Sequence, residues 1–222
     1  MIAPLTLVLF DVDGTLIDSQ EHILRGMEIA FIENEIQPPS KKRILATVGL
    51  SLFETFNELC PDENENKRQD LIRIYKNSFA SIRKKMLPAP LYPGALDCLN
   101  SLRNTDSYVL GIATGKSRRG LDHILASPDL SGRFVTEQVS DNHPSKPHPS
   151  MAQRAMSEAG ATRGVMIGDT TYDMEMGRSA GLKTIGVSWG YHSGASLLKN
   201  ADLVVNNFEN LLPAILEIWN DQ

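Results

Sequence analysis

The sequence predicts an α/β fold: a mostly parallel sheet covered by helices on both faces, with a helical module inserted after the first strand. Three observations carry this. Short apolar segments recur, each followed by polar or glycine-containing sequence. Helical stretches alternate with the later segments, which is the mark of βαβ units. Residues 19–88 break that rhythm and hold no convincing strand. The 222 residues exceed an average domain of about 100–150 but fall short of two. One core with a small second module is therefore expected.

The first strand is Leu5–Phe10, L-T-L-V-L-F. Its unbroken apolar run suits a strand buried on both faces. Further strands are expected at Tyr108–Ala113, Gly164–Ile167, Lys183–Val187 and Asp202–Val205. Between and around them, helices are expected at Gly94–Arg103, Ser117–Leu125, Pro149–Ala159, Tyr172–Ala180 and Phe208–Trp219. In the insertion, Ile23, Met27, Ala30 and Phe31 lie near helical spacing. So do Leu71, Ile74, Tyr75, Ser78, Phe79 and Ile82. Ser51 with Glu54 fits a capping box. The charged Asp62–Asp70 run reads as a solvated helix start. Leu87-Pro88-Ala89-Pro90 reads as a stiff connector back to the sheet.

Composition excludes several classes. Apolar residues make up 41% and charged residues 22%, which is globular and rules out wholesale disorder. Asp plus Glu number 27 against 22 Lys plus Arg, a net charge of -5. Such a chain is a poor general partner for nucleic acid or a membrane surface. No stretch approaches the roughly 18 apolar residues of a membrane span. The N-terminus lacks a basic start and a cleavage site, so no signal peptide is expected. Cys60 and Cys98 form no framework and read as inert thiols, which fits a reducing cytosol.

Ligands of open α/β sheets bind beyond the carboxyl ends of the strands, so the residues just after each strand matter most. After the first come Asp11-Val12-Asp13-Gly14-Thr15-Leu16. Thr114-Gly115-Lys116 follows the second. A loop then carries Ser145-Lys146-Pro147. Later comes Gly168-Asp169-Thr170-Thr171-Tyr172-Asp173. Four acids, a hydroxyl and at least one cation thus converge on one edge.

The order of these four motifs resembles the haloacid dehalogenase-like hydrolases over essentially the whole chain, in particular phosphoglycolate-phosphatase-like members with a helical cap. The resemblance implies a doubly wound parallel sheet, a Rossmann-like core formed by residues 1–18 and 89–222. Residues 19–88 would be the inserted helical cap. One departure concerns Gly177, where the family more often has alanine. Glycine costs about 1 kcal/mol against Ala in a helix interior, so the expected effect is on stability.

The chemistry can be reasoned independently. A phosphate monoester is anionic and resists nucleophiles, so a site must supply positive charge and an aligned attacker. A carboxylate can be that attacker, giving an acyl phosphate. Asp11 is the expected nucleophile. Asp13 is the expected general acid for the leaving oxygen and then base for the hydrolytic water. Gly14 lets the chain turn away. Clustered carboxylates call for a cation, and hard oxygen ligands suit Mg²⁺. The resemblance assigns its direct contacts to Asp11, Asp169 and the backbone carbonyl of Asp13. It makes Asp173 a second acid acting through bound water or through the lysine. The Thr114 hydroxyl and nearby N–H groups, including that of Gly115, are expected to cradle phosphate. Family order favours Lys146 over Lys116, Arg118 and Arg119 as the cation facing the phosphoryl group; the other three read as solvated.

Gly49-Leu50-Ser51 resembles the family's substrate-facing cap loop, and a plain turn between helices is an equal alternative. His192 reads as a surface or packing histidine rather than one at the mouth of the site. The expected function is Mg²⁺-dependent hydrolysis of a small phosphorylated metabolite, phosphoglycolate or similar, through an aspartyl phosphate. A phosphomutase shares that intermediate and is the first alternative. A non-catalytic binding module on this fold is the second, and it should have lost one of Asp11, Asp13, Lys146 or Asp169. A dehalogenase fits poorly, because it needs neither Asp13 nor a metal.

Overall fold

The computed structural model describes residues 4–219. Six parallel strands form one sheet: β1 (Thr6–Phe10), β2 (Tyr108–Thr114), β3 (Thr136–Val139), β4 (Arg163–Gly168), β5 (Lys183–Val187) and β6 (Leu203–Val205). Their order is β3-β2-β1-β4-β5-β6. The chain winds outward from β1 to β3, then returns to β4 on the other side of β1. This is a doubly wound sheet, and its switch point lies between β1 and β4. All five residues of β1 are buried. Val8 and Phe10 face one core with α5 (Ala95–Arg103), α6 (Arg118–Leu125) and α10 (Leu211–Glu217). Leu7 and Leu9 face another with α7 (Ser150–Ala159) and α8 (Thr171–Ser179). Burial on both faces explains why β1 shows no alternation.

The segment between β1 and β2 begins with α1 (Gln20–Glu33), α2 (Lys41–Ala46), α3 (Leu52–Leu59) and α4 (Glu65–Lys85). Their buried faces make a third cluster, around Ile23, Met27, Phe31, Phe56, Leu71 and Tyr75. Side chains cap three of these helices, and at Ser51 the expected capping box is only half formed, because the Ser51 N–H donates to Ser145 Oγ instead of to Glu54. Ser40, Ser51 and Asn64 accept from the backbone N–H three residues on, satisfying otherwise orphaned donors. Basic Arg83, Lys84 and Lys85 close α4, where they complement the helix dipole. Among the described residues, no helix is long and apolar enough to cross a membrane.

Three features differ from the sequence reading. β3, T-E-Q-V, was not expected as a strand. The last helix is split into a 3₁₀ turn, Phe208–Asn210, and α10, with the short α9 (Gly194–Leu197) before β6. Gly177 is not a merely tolerated helix residue. A Cβ there would lie 2.8 Å from both Met166 Cβ and Thr184 Cγ2, so its bareness lets α8 press directly on β4 and β5.

Candidate active site

The site assembles where four strand ends meet at the switch point. Asp11 follows β1, and its N–H donates to Ile167 O of β4 at 2.9 Å, which fixes its depth. Gly14 has φ +82° and lies so close to Asp169 that a Cβ would sit 2.3 Å from Oδ2. Only glycine allows both the left-handed backbone and that approach. Gly190 is pressed on Asp169 in the same way.

Lys146 reaches in from the loop after β3. Its side chain is fully buried, and Nζ donates to Asp11 Oδ1 at 2.7 Å and Asp173 Oδ1 at 2.6 Å. Burial alone would push its pKa down, but the two carboxylates outweigh that and hold the lysine charged above its ordinary range. Asp173 spends its other oxygen on Thr170, accepting from both its N–H and its hydroxyl at 3.1 and 2.7 Å. With Thr170 Oγ1 accepting from Asp173 N–H, this closes a full capping box at the start of α8.

Asp169 accepts from the Thr15 hydroxyl at 3.0 Å and the Tyr191 N–H at 2.8 Å. Asp11 Oδ2, in contrast, is buried with no hydrogen-bond partner among the described residues. One oxygen each of Asp11, Asp169 and Asp173 lie within 4.8 Å of one another. Burial pushes Asp11 up to about 7; Lys146 opposes this and Asp173 adds to it. Burial, with Asp11 and Asp173 as neighbours, also pushes Asp169 well above the usual range, against the opposing Tyr191 and Thr15 donors. Lys146 pairs with Asp11 and Asp173 but not with Asp169, so the negative charge of the three buried carboxylates is under-compensated. An all-oxygen donor set with an orphaned carboxylate oxygen fits a hard divalent cation.

Asp13 lines the same cavity as Asp11 and is slightly more exposed. Lys116 Nζ donates to both of its oxygens at 2.7 and 2.8 Å, and the Ser19 hydroxyl donates to Oδ1. Only 14% of the Lys116 side chain is exposed. This corrects the expectation that Lys116 is solvated. Arg118 is bound outside the site to Glu137 and Asp122. Arg119 donates to Lys76 O of α4. Thr114 is buried, with Oγ1 accepting from Lys116 N–H at 3.3 Å.

The Gly49-Leu50-Ser51 loop lies against this edge. A Cβ on Gly115 would fall 2.5 Å from Leu50 O and 2.6 Å from Gly49 O. Ser51 N–H donates to Ser145 Oγ at 2.8 Å. His192 sits apart from the cavity. Its Nδ1 accepts from Thr171 N–H, and its Nε2 faces Ala46 O at 3.2 Å, so it bridges α2 and α8. The groups that sequence reasoning missed are Lys116, Ser19, Thr15 and Tyr191. Thr15 carried a signal, since it stands within the Asp11–Leu16 motif.

The model for the haloacid dehalogenase-like hydrolase family matches residues 8–187, and the chain belongs to that family. It is 33% identical over 215 residues to "Probable phosphatase IndB" of Dickeya dadantii (strain 3937), covering 94% of this chain and 92% of the relative. It is also 33% identical to pyrophosphatase PpaX of Bacillus pumilus (strain SAFR-032), covering 94% and 95%. A crystal structure described as "a predicted phosphatase from Clostridium acetobutylicum" superposes with a TM-score of 0.85 at 29% identity, covering 97% of this chain and all of that one. The chain is accordingly a hydrolase of the phosphatase type.

Proposed function

We propose that the protein hydrolyses a small phosphate monoester with Mg²⁺ through an aspartyl phosphate on Asp11. The observation that carries this is the split environment of Asp11. Lys146 holds Oδ1, while Oδ2 is buried and unpartnered, and the carboxylate as a whole stands beside those of Asp169 and Asp173. A carboxylate held in this way is aligned and has a free lone pair to attack with.

Asp11 attacks phosphorus, and the ester oxygen departs with a proton from Asp13. Asp13 then takes a proton from the water that hydrolyses the acyl phosphate. Lys146 offsets charge on the transferring group. The Thr114 hydroxyl and the Gly115 N–H cradle its oxygens. Asp11, Asp169 and the backbone carbonyl of Asp13 would hold Mg²⁺, which supplies positive charge against the repulsion between nucleophile and phosphate. Asp173 acts behind them by fixing Lys146. Residues 1–18 and 89–222 are the catalytic core in this reading, and residues 19–88 are a cap over the leaving group. Phosphoglycolate or a similar metabolite is the starting candidate. A cytosolic place of action fits the free thiols of Cys60 and Cys98.

The test is Asp11→Asn, which keeps the shape and removes the attacking charge. Turnover should fall by at least about 10³-fold, the order seen when a nucleophile is lost, with the fold intact by circular dichroism. Trapped wild-type enzyme should carry a base-labile phosphoryl group on Asp11 by mass spectrometry, and inorganic phosphate should be the product. Phosphate found on a serine or histidine, or an isomerised ester in place of free phosphate, would sink this assignment.

A further inference from the structure

Beyond Asp13 the site opens into a cavity of about 640 Å³ between α1, α4 and α6. Sites for drug-sized ligands span about 300–1,000 Å³, and a glycolate-sized group would leave most of this one empty. The walls are apolar over much of their length, with Ile23, Met27, Phe79, Leu91, Ile124 and Leu130 among the lining residues.

The cavity has a direction. Lys116, just before α6, holds Asp13. One turn on, Arg119 donates to Lys76 O. Another turn on, His123 lines the cavity together with Arg83, and burial, then that guanidinium, lower its pKa. Positions 116, 119 and 123 therefore step along α4 from the catalytic end toward Arg83. Arg83 lies seven positions after Lys76 in α4, a rise of roughly 10 Å.

Charge is uneven along this path. Lys76, Arg83 and Arg119 line the part beyond Lys116, and the acid there among the described lining residues is Asp129. Among the described residues, neither Lys76 nor Arg83 has a carboxylate at ion-pair distance. Arg83 and Arg119 are exposed and Lys76 is half-buried, so these cations stand at the solvent-facing rim of the apolar-walled cavity, where the anionic end of a long ligand would meet them.

We propose that the leaving group is an elongated, amphipathic one: an apolar chain or ring seated between α1, α4 and α6, ending in an anion held by Arg83, with Lys76 and Arg119 beside it. This rests on the phosphatase reading and specifies the substrate class for it. The anion can be a carboxylate or a second phosphoryl group.

The experiment compares ω-carboxyalkyl phosphates with their neutral carboxamides and with ω-phosphonoalkyl phosphates. Chains run from glycolate length to lengths beyond the roughly 10 Å rise from Lys76 to Arg83 along α4. Release of phosphate is measured with Mg²⁺ for the wild type and Arg83→Gln, whose fold is checked by thermal melting. The wild-type kcat/KM should peak at a chain that reaches Arg83, and there the acid should exceed its amide by about tenfold, the worth of one charge-assisted contact. That ratio should fall toward one in Arg83→Gln. The phosphonate arm shows which anion is preferred. If short esters react, but kcat/KM only declines with length or Arg83→Gln leaves the acid-to-amide ratio unchanged, this proposal alone is overturned. If no ester of any length releases phosphate, the phosphatase reading fails and this proposal fails with it.

Discussion

Lys116 grips both oxygens of Asp13 while Ser19 donates to one of them, so two segments of chain set the direction of the acid. Lys116→Ala leaves only Ser19. Misplacing a reacting group by about 1 Å can cost about 100-fold, so kcat/KM for alkyl phosphates should fall between about ten- and 100-fold. Aryl phosphates, whose leaving oxygen needs no proton, should lose much less. Parallel kinetics on the two ester classes check this, and equal losses would place Lys116 on the phosphoryl group instead. The crowded carboxylates make a second residue-scale prediction. Mg²⁺ at about 100 times its Kd should stabilise the fold by about 2.7 kcal/mol, read as a higher melting temperature than in chelator, and Asp169→Asn should abolish that gain. Asp11 and Asp169 stand out in the sequence because each immediately follows a buried apolar strand, and Asp13 because it lies two residues beyond Asp11. Lys116 does not, because its meaning lies in a partner 103 positions away and Arg118 and Arg119 follow it closely with the same charge.

At the scale of elements, β3 shows where periodicity loses its grip. An edge strand pairs on one side only, here with β2, and T-E-Q-V offers little apolar signal. Its inward positions are satisfied by polar bonds instead: Glu158 of α7 accepts from the Thr136 hydroxyl and the Gln138 amide at 2.7 Å each. The buried strands β1, β2, β4 and β5 had no such disguise. Gly177 also needed three dimensions, since its neighbours come from β4 and β5 rather than its own helix. Propensity alone makes Gly177→Ala stabilising by about 1 kcal/mol. Contacts of 2.8 Å to Met166 Cβ and Thr184 Cγ2 are closer than packed carbons tolerate, and neither atom is the free end of a flexible chain. Overpacking of this kind costs about 1–3 kcal/mol. Urea unfolding should therefore show Gly177→Ala destabilised, and a gain in stability would mean that α8 can lift from the sheet without cost. Cys98 of α5 gives a chemical check on the same packing. Burial pushes its thiol up to about 12, so alkylation at neutral pH should track global unfolding rather than local exposure.

At the scale of the molecule, the four-helix cluster and the sheet have separate hydrophobic clusters but meet closely around the site. Hydrogen bonds that join them include Ser51 N–H to Ser145 Oγ, Arg119 to Lys76 O, Tyr172 OH to Ala46 O at 3.2 Å and the His192 ring to the same Ala46 O. The insertion was legible as a break in the βαβ rhythm. Its seating was not, because backbone carbonyls packed on a glycine leave no residue signature. Gly115 offers a way to test what the seating does. Added bulk there would meet the carbonyl oxygens of Leu50 and Gly49 at 2.5 and 2.6 Å, and backbone cannot rotate aside as a side chain can. Gly115→Ala should therefore wedge the 49–51 loop outward while each unit keeps its own core. Melting temperature should change little, hydrogen exchange at the Ser51 amide should quicken, and kcat/KM should fall as the site admits water. Since the new methyl group could also touch phosphate, Ser145→Ala serves as the companion. It removes the acceptor for the Ser51 amide and adds no bulk, so it should quicken the same exchange and weaken turnover in the same direction, by a smaller factor. Unchanged protection of Ser51 in both variants would show that the loop is held by other contacts and that its seating does not govern catalysis.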